Sequence, residues 1–395
     1  MKRIFFVLIV LIIIFSQTSF AKKKNTDFDM LIVLTQQECE YMDWWNALPA
    51  QFGPEVSGIS KVFKGEYFKI MPIFNHYATT SNGQVDITYD MKFFKPDGSV
   101  YMSFTNCIGF KGENQMPNLI PSVSIVAVCF DPEDVYGEYT VTIIANDHVK
   151  NQKVEKSEKI KLLKFKLPEV KKDDEWFFNY PVQPKPSVAI ASFLNLRRSC
   201  LDKNQEPIWA AVWFYKLVFE ENKYLLPHLV KKFKKATEHQ KENIVIVLTL
   251  LNKSDLLPAL SPKLKKLKNR IEKTKVPDPY LEIHSGEQLD ILWAEFFATS
   301  RIKPIRRIIS SLNLSEHLGT LDKVKSKELD IKNNEVRRKA MLEAVFQSAL
   351  WSLTTNCEKS ALLFRYCVGL YESNELNKKE KRVISIILEK VSENK

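Results

Sequence analysis

Six cysteines and six histidines are the side chains best suited to chemistry here, and their spacing decides what they can do. The histidines are His76, His148, His228, His239, His284 and His317. No two lie four residues apart and no His-Glu-x-x-His motif occurs, so no helix face offers a pair of metal ligands. The cysteines are Cys39, Cys107, Cys129, Cys200, Cys357 and Cys367, and they form no Cys-x-x-Cys unit of the kind that binds zinc. A nucleophile elbow, a Walker loop and a dinucleotide-binding glycine motif are all missing. The acidic pairs Asp173-Asp174 and Glu220-Glu221 fall in a Pro-rich stretch and at a helix end, where solvation accounts for them better than acid/base work does. The expectation is a non-enzymatic protein with no cofactor and no metal. The alternative is a secreted hydrolase whose site converges from distant parts of the helical region.

Six thiols in 395 residues are too few for a disulfide-scaffolded fold, yet an exported chain can oxidise individual pairs. Cys107 with Cys129 is the candidate pair. Cys357 and Cys367 are ten residues apart, which on one straight helix is roughly 15 Å of rise. That exceeds the ~7 Å limit on Cα separation in a disulfide, so these two meet only if the chain turns between them.

Two basic stretches carry the other chemistry. Lys231, Lys232, Lys234, Lys235 and Lys241 make the first; Lys263, Lys265, Lys266, Lys268, Arg270, Lys273 and Lys275 make the second, with only Glu272 opposing them. Helices of this kind can lie on an anionic membrane or on lipopolysaccharide. A plainer reading is a solvated outer face, because Leu264, Leu267 and Ile271 recur at i, i+3 and i+7 and would face a core. Lysine on every solvated face also explains the formal charge of +11 without a nucleic-acid partner.

These residues sit on a chain that opens like an export signal. Met1-Lys2-Arg3 precedes an unbroken apolar run from Ile4 to Phe15, and Ser19-Phe20-Ala21 offers small residues to a signal peptidase. Cleavage is expected between Ala21 and Lys22, making residues 1–21 a signal peptide. The run of 12 apolar residues is short of the roughly 20 needed to span a bilayer. A soluble periplasmic or extracellular protein is therefore expected.

Eight of the eleven glycines precede residue 150, so a turn-rich β region gives way to a helical one. Val85, Ile87, Tyr89, Met91 and Phe93 alternate with polar residues, Lys95-Pro96-Asp97-Gly98 supplies a turn, and Val100, Met102 and Phe104 resume the alternation. Further strands are predicted over Met30 to Leu34, Lys61 to Phe74, Ser122 to Phe130, Tyr139 to Ala145 and Ile160 to Phe165. Six or seven such strands imply a sandwich over residues 28–167.

Asp131 to Val141, with Gly137, Tyr139 and Val141 spaced as Gly-x-Tyr-x-Val, resembles the strand-opening pattern of bacterial immunoglobulin-like domains. The resemblance implies an immunoglobulin-like β-sandwich and a tyrosine corner at Tyr139, its hydroxyl bonded to upstream backbone. It implies no catalytic residue, and antibody-type Cys…Trp…Cys spacing is absent.

Pro168, Pro181, Pro184 and Pro186, with the charges of residues 169–174, read as an extended linker over 168–187, which Trp176, Phe177, Phe178 and Tyr180 pin to a neighbour. From 188 to 395 the apolar period becomes that of helices, as in Leu289, Leu292, Trp293, Phe296 and Phe297. Helices are predicted to begin near Ile208, Lys223, Glu242, Pro258, Glu287, Lys303, Asn334, Glu358 and Asn377. No repeat of fixed period appears, so an all-α solenoid or irregular bundle is expected. The aromatic-rich stretch Trp209, Trp213, Phe214, Tyr215 and Phe219 is read as core. The whole is α+β in separate domains, and its expected role is to present surfaces to a protein partner in the cell envelope.

Overall fold

A computed structural model describes residues 27–37, 56–113, 119–169, 176–196, 200–201 and 207–393. The first half is β-rich, with strands β1 (Asp29–Thr35), β2 (Lys61–Phe63), β3 (Tyr67–Asn75), β4 (Gln84–Phe94), β5 (Val100–Glu113), β6 (Leu119–Pro121), β7 (Val126–Cys129), β8 (Gly137–Asp147) and β9 (Gln152–Leu163). One sheet has the order β1-β3-β6, with β7 also paired to β3; the other runs β2-β9-β8-β4-β5. Every pairing is antiparallel except that of β2 with β9.

Alternation explains how these sheets close. Val85, Ile87, Tyr89, Met91 and Phe93 of β4 are all buried, as are Val141, Ile143 and Ala145 of the neighbouring β8. They meet Phe68, Phe74 and Phe130 from the region of the other sheet, as in the Phe68–Phe93 and Phe74–Tyr89 ring contacts at 6.4 and 6.5 Å. Each such aromatic side chain stabilises by about 2–3 kcal/mol through burial alone. The Tyr139 hydroxyl donates to the Val135 carbonyl at 2.9 Å, the bond expected of that tyrosine. The turn at 95–98 also forms as read, with Gly98 at φ +82° and Asp97 accepting from Ser99 N–H at 2.9 Å.

The stretch Lys61 to Phe74 is two strands, because Gly65 turns the chain at φ +79° and its N–H donates to Phe130 O at 2.9 Å. Ser122 to Phe130 holds only β7, and β6 precedes it. Strand β9 starts at Gln152, eight residues before the predicted Ile160, within a segment polar on both faces that gives no period-two signal.

The second half is helical: α1 (Trp176–Asn179), α2 (Ala189–Leu194), α3 (Trp209–Glu221), α4 (Leu226–Lys232), α5 (Glu238–Leu250), α6 (Pro262–Lys273), α7 (Gly286–Thr299), α8 (Ile302–Ser310), α9 (Thr320–Lys325), α10 (Asn334–Lys359), α11 (Ala361–Glu372) and α12 (Lys378–Glu393). Capping moves several starts. Thr237 and Gln240 form a capping box that begins α5 four residues ahead of Glu242. Ser261, accepting from Leu264 N–H at 3.4 Å, begins α6 at Pro262 and not at Pro258. Packing is not confined to sequence neighbours, since α3 lies against α7. Of the aromatic-rich stretch, Trp209, Phe214, Tyr215 and Phe219 are core residues, as read, while Trp213 is only partly buried against that core.

The Pro-rich segment is pinned to a neighbour, as read: over 176–187 it packs into the core of the helical half. Trp176 and Tyr180 are buried against Phe214, and Phe177 packs on Phe297 with ring centroids 4.8 Å apart. Met71 and Ile73 of β3 belong to the same apolar cluster as these helices, so the halves share a core.

Candidate functional site

Helix α6 is amphipathic for a simple reason. Leu264, Leu267 and Ile271 are buried against the helical core, which leaves the lysines between them on the outer surface. Lys263, Lys266, Arg270 and Lys273, at i, i+3, i+7 and i+10, form a stripe beside the apolar one. With Leu201, Glu242, Leu267 and Asn269 they line a groove of about 550 Å³.

The charges along this groove are unevenly matched. Lys263 pairs with Glu242 of α5 at 2.7 Å, a contact that raises its ammonium above the ordinary value. Lys268, off the stripe, pairs with Glu272 at 2.6 Å. Among the described residues Lys266, Arg270 and Lys273 have no carboxylate partner, and Arg270 Nε is buried without an acceptor. Arg270 and Lys273 occupy the last turn, where the helix dipole favours cations. Among the described residues the groove therefore offers three cations without a carboxylate partner beside two leucines, suited to a ligand carrying both acid and apolar groups.

Of the first basic stretch, Lys231 and Lys232 end α4, and Lys234 and Lys235 occupy the 3-10 turn before α5. All four are exposed. Glu238, paired with Lys241, and Glu242, paired with Lys263, stand at the start of α5 between the two stretches. The second stretch is thus brought to a groove, with Lys265 exposed outside the lining, while Lys231, Lys232, Lys234 and Lys235 of the first are exposed and take no part in that lining.

A second concavity, of about 270 Å³, opens where the two halves meet and includes Tyr67, Lys69, Glu221, Asn222 and Arg301 in its lining. Glu221 is the one carboxylate among its described lining residues. Beside it the junction is tightly bonded. Tyr224 donates to Glu66 Oε1 at 2.7 Å and Phe63 N–H to Glu66 Oε2 at 2.8 Å. Gln37 Nε2 and Ser57 Oγ both donate to Val182 O, at 2.8 and 2.7 Å. Burial pushes the Glu66 carboxyl above its usual range and the Tyr224 phenol well above its own. His228 stacks on Phe165 at 4.1 Å; burial first and Lys231 second hold its imidazole below the ordinary value. Glu66 and Tyr224 were not singled out in the sequence, where Glu66 reads as a charge between strands and Tyr224 as one aromatic among many.

The remaining titratable groups do not gather. His148 bonds Thr88 Oγ1 at 2.8 Å, His284 lies 3.5 Å from Glu282 and His317 lies 3.8 Å from Glu316. Among the described residues no group of three or more His, Cys, Asp or Glu is placed to hold a metal. Cys107 on β5 and Cys129 on β7 belong to different sheets, and in this structure no disulfide joins them or any other described cysteines. Burial raises both, and pushes Cys200 up to about 12, which disfavours a nucleophilic thiolate. Ala21, Lys22 and Cys39 lie outside the described residues. Within them, no helix is long and apolar enough to cross a membrane.

No protein-family model matches the chain, and no curated protein matches it. Two solved structures show distant likeness. One is a family 123 glycoside hydrolase from Clostridium perfringens, with 10% identity over 51% of this chain and a TM-score of 0.22; the match covers 36% of that protein, little more than a third. The other is a family 76 glycoside hydrolase from a bovine Bacteroides thetaiotaomicron strain, with 8% identity, 82% of this chain, 87% of that one and a TM-score of 0.18. At such TM-scores neither likeness bears on activity.

Proposed function

We propose that this is an exported, non-enzymatic binding protein that engages an acidic protein partner through the groove along α6. The observation that carries the reading is the stripe Lys266, Arg270 and Lys273, three cations with no carboxylate partner among the described residues, lining a concave, partly apolar surface. A concave groove suits a protruding acidic segment better than a flat bilayer does. In the same reading the β half is an immunoglobulin-like sandwich, supported by its two facing sheets and the Tyr139–Val135 bond, and the helical half is an irregular bundle. In this reading residues 1–21 are an export signal and the protein works in the periplasm or outside the cell, a reading supported by Met1-Lys2-Arg3 followed by the apolar run from Ile4 to Phe15.

Binding of a fluorescent polyglutamate peptide tests the site. Exposed ion pairs contribute about 0.2–1 kcal/mol each, so replacing Lys266, Arg270 and Lys273 together by Gln should weaken binding by roughly tenfold or more. Wild-type binding should also fall steeply with added salt, because these charges are screened within about 8 Å at physiological ionic strength. Equal binding by the triple variant would overturn the site. Binding to phosphatidylglycerol vesicles with none to the peptide would favour an anionic membrane or lipopolysaccharide as the partner. Amino-terminal sequencing of the chain from an envelope fraction should begin at Lys22.

A further inference from the structure

Helix α10 ends at Lys359, and Ser360 starts α11 by accepting from Leu363 N–H at 3.2 Å. The chain turns there, which brings back together two cysteines that one straight helix would hold far apart. Cys357 and Cys367 lie with their sulfurs 3.6 Å from each other, and both are fully buried. Leu353, Leu363 and Tyr366 share their surroundings in the helical core.

We propose that Cys357 and Cys367 form a disulfide when the chain folds in an oxidising compartment. A disulfide sulfur pair is separated by about 2.05 Å, so the two atoms need move together by only ~1.5 Å from where they stand. The co-reactant is a disulfide-bearing oxidant. One cysteine thiolate attacks a sulfur of the oxidant, breaking its disulfide and releasing one thiol. The second thiolate then attacks the mixed disulfide, releases the second thiol and closes the Cys357–Cys367 bond. Two protons and two electrons leave the protein, and the oxidant is reduced to two thiols. Burial sets the order of events, because the sulfurs are accessible to the oxidant before α11 has docked. Once it docks, the same burial protects the bond from reductants. The compartment is that of the export reading above, while the α6 groove plays no part.

The test uses purified full-length protein and so stands apart from whether the chain is exported or what α6 binds. The chain is refolded from denaturant in a buffer of oxidised and reduced glutathione, alkylated without reduction, digested and mapped by mass spectrometry. Cys357 and Cys367 should be found joined, two hydrogens lighter than the reduced peptides, with Cys107, Cys129 and Cys200 alkylated. The oxidised protein should melt about 5 °C above the reduced form, a difference that vanishes in the Cys357→Ala/Cys367→Ala variant. Alkylation of both residues, or either one joined to another cysteine, would overturn the proposal. Should the chain not refold, the same map of protein isolated from the periplasm of an exporting host decides between these outcomes.

Discussion

At the junction of the two halves Glu66 is 3% exposed and each of its oxygens accepts a hydrogen bond, whereas on α6 Lys266 and Lys273 stand in solvent with no counter-ion among the described residues. Both regions place charge beside apolar surface, but with opposite consequences. A buried carboxylate with its acceptors occupied is committed to its own chain, and removing a partner exposes the cost of its desolvation. An exposed cation without a partner contributes little to folding and remains available to something else. The junction is where this molecule should be fragile, and α6 is where it should bind.

The largest effect is expected from Gly65→Ala. Gly65 sits at φ +79°, and a Cβ there would lie 2.7 Å from Tyr224 Cβ. Backbone strain and the clash together should destabilise by about 3 kcal/mol, seen as a lower denaturant midpoint, while polyglutamate binding by the folded variant stays unchanged. An unshifted midpoint would mean the junction is looser than described. Next comes Tyr224→Phe, which takes one donor from the buried Glu66. Leaving that acceptor unsatisfied should cost about 1–3 kcal/mol by the same measurement.

A smaller effect sharpens the contrast by pH. The folded-state pKa of Glu66 is raised, so the folded chain holds this proton more tightly than the unfolded chain, whose glutamates titrate near about 4.3. The stabilisation from its neutral form is complete below that value and is lost as pH rises through the folded pKa. Melting temperature should therefore decline with rising pH over this window more in the wild type than in Glu66→Gln, where the group no longer titrates. Parallel profiles would contradict the burial argument. Smallest of all, replacing Lys266, Lys273 and Arg270 one at a time by Gln should change stability by no more than about 0.5 kcal/mol. A larger loss would show that a cation is structural and belongs with the junction.

How much of this was legible in the sequence follows the same divide. Strand β4 was readable because Val85 to Phe93 has one wet and one dry face, and α6 because Leu264, Leu267 and Ile271 keep a helical period. The junction was not, since Glu66, Tyr224 and Val182 are far apart in the chain and each is ordinary in its local pattern. The Pro-rich segment was legible in part. Its prolines signal an extended chain locally, but Trp176 and Tyr180 bury enough apolar surface to bind it into the core. The groove was half legible: spacing marked the lysines, but not that Glu242 would neutralise Lys263 and leave Lys266, Arg270 and Lys273 unmatched among the described residues.

The most direct test of the contrast is hydrogen exchange followed by mass spectrometry with and without saturating polyglutamate peptide. The account predicts that added protection is confined to residues 238–273, covering α5 and α6, and that peptides spanning 61–67 and 221–226 at the junction exchange at unchanged rates. Protection at the junction with none along α6 would contradict it.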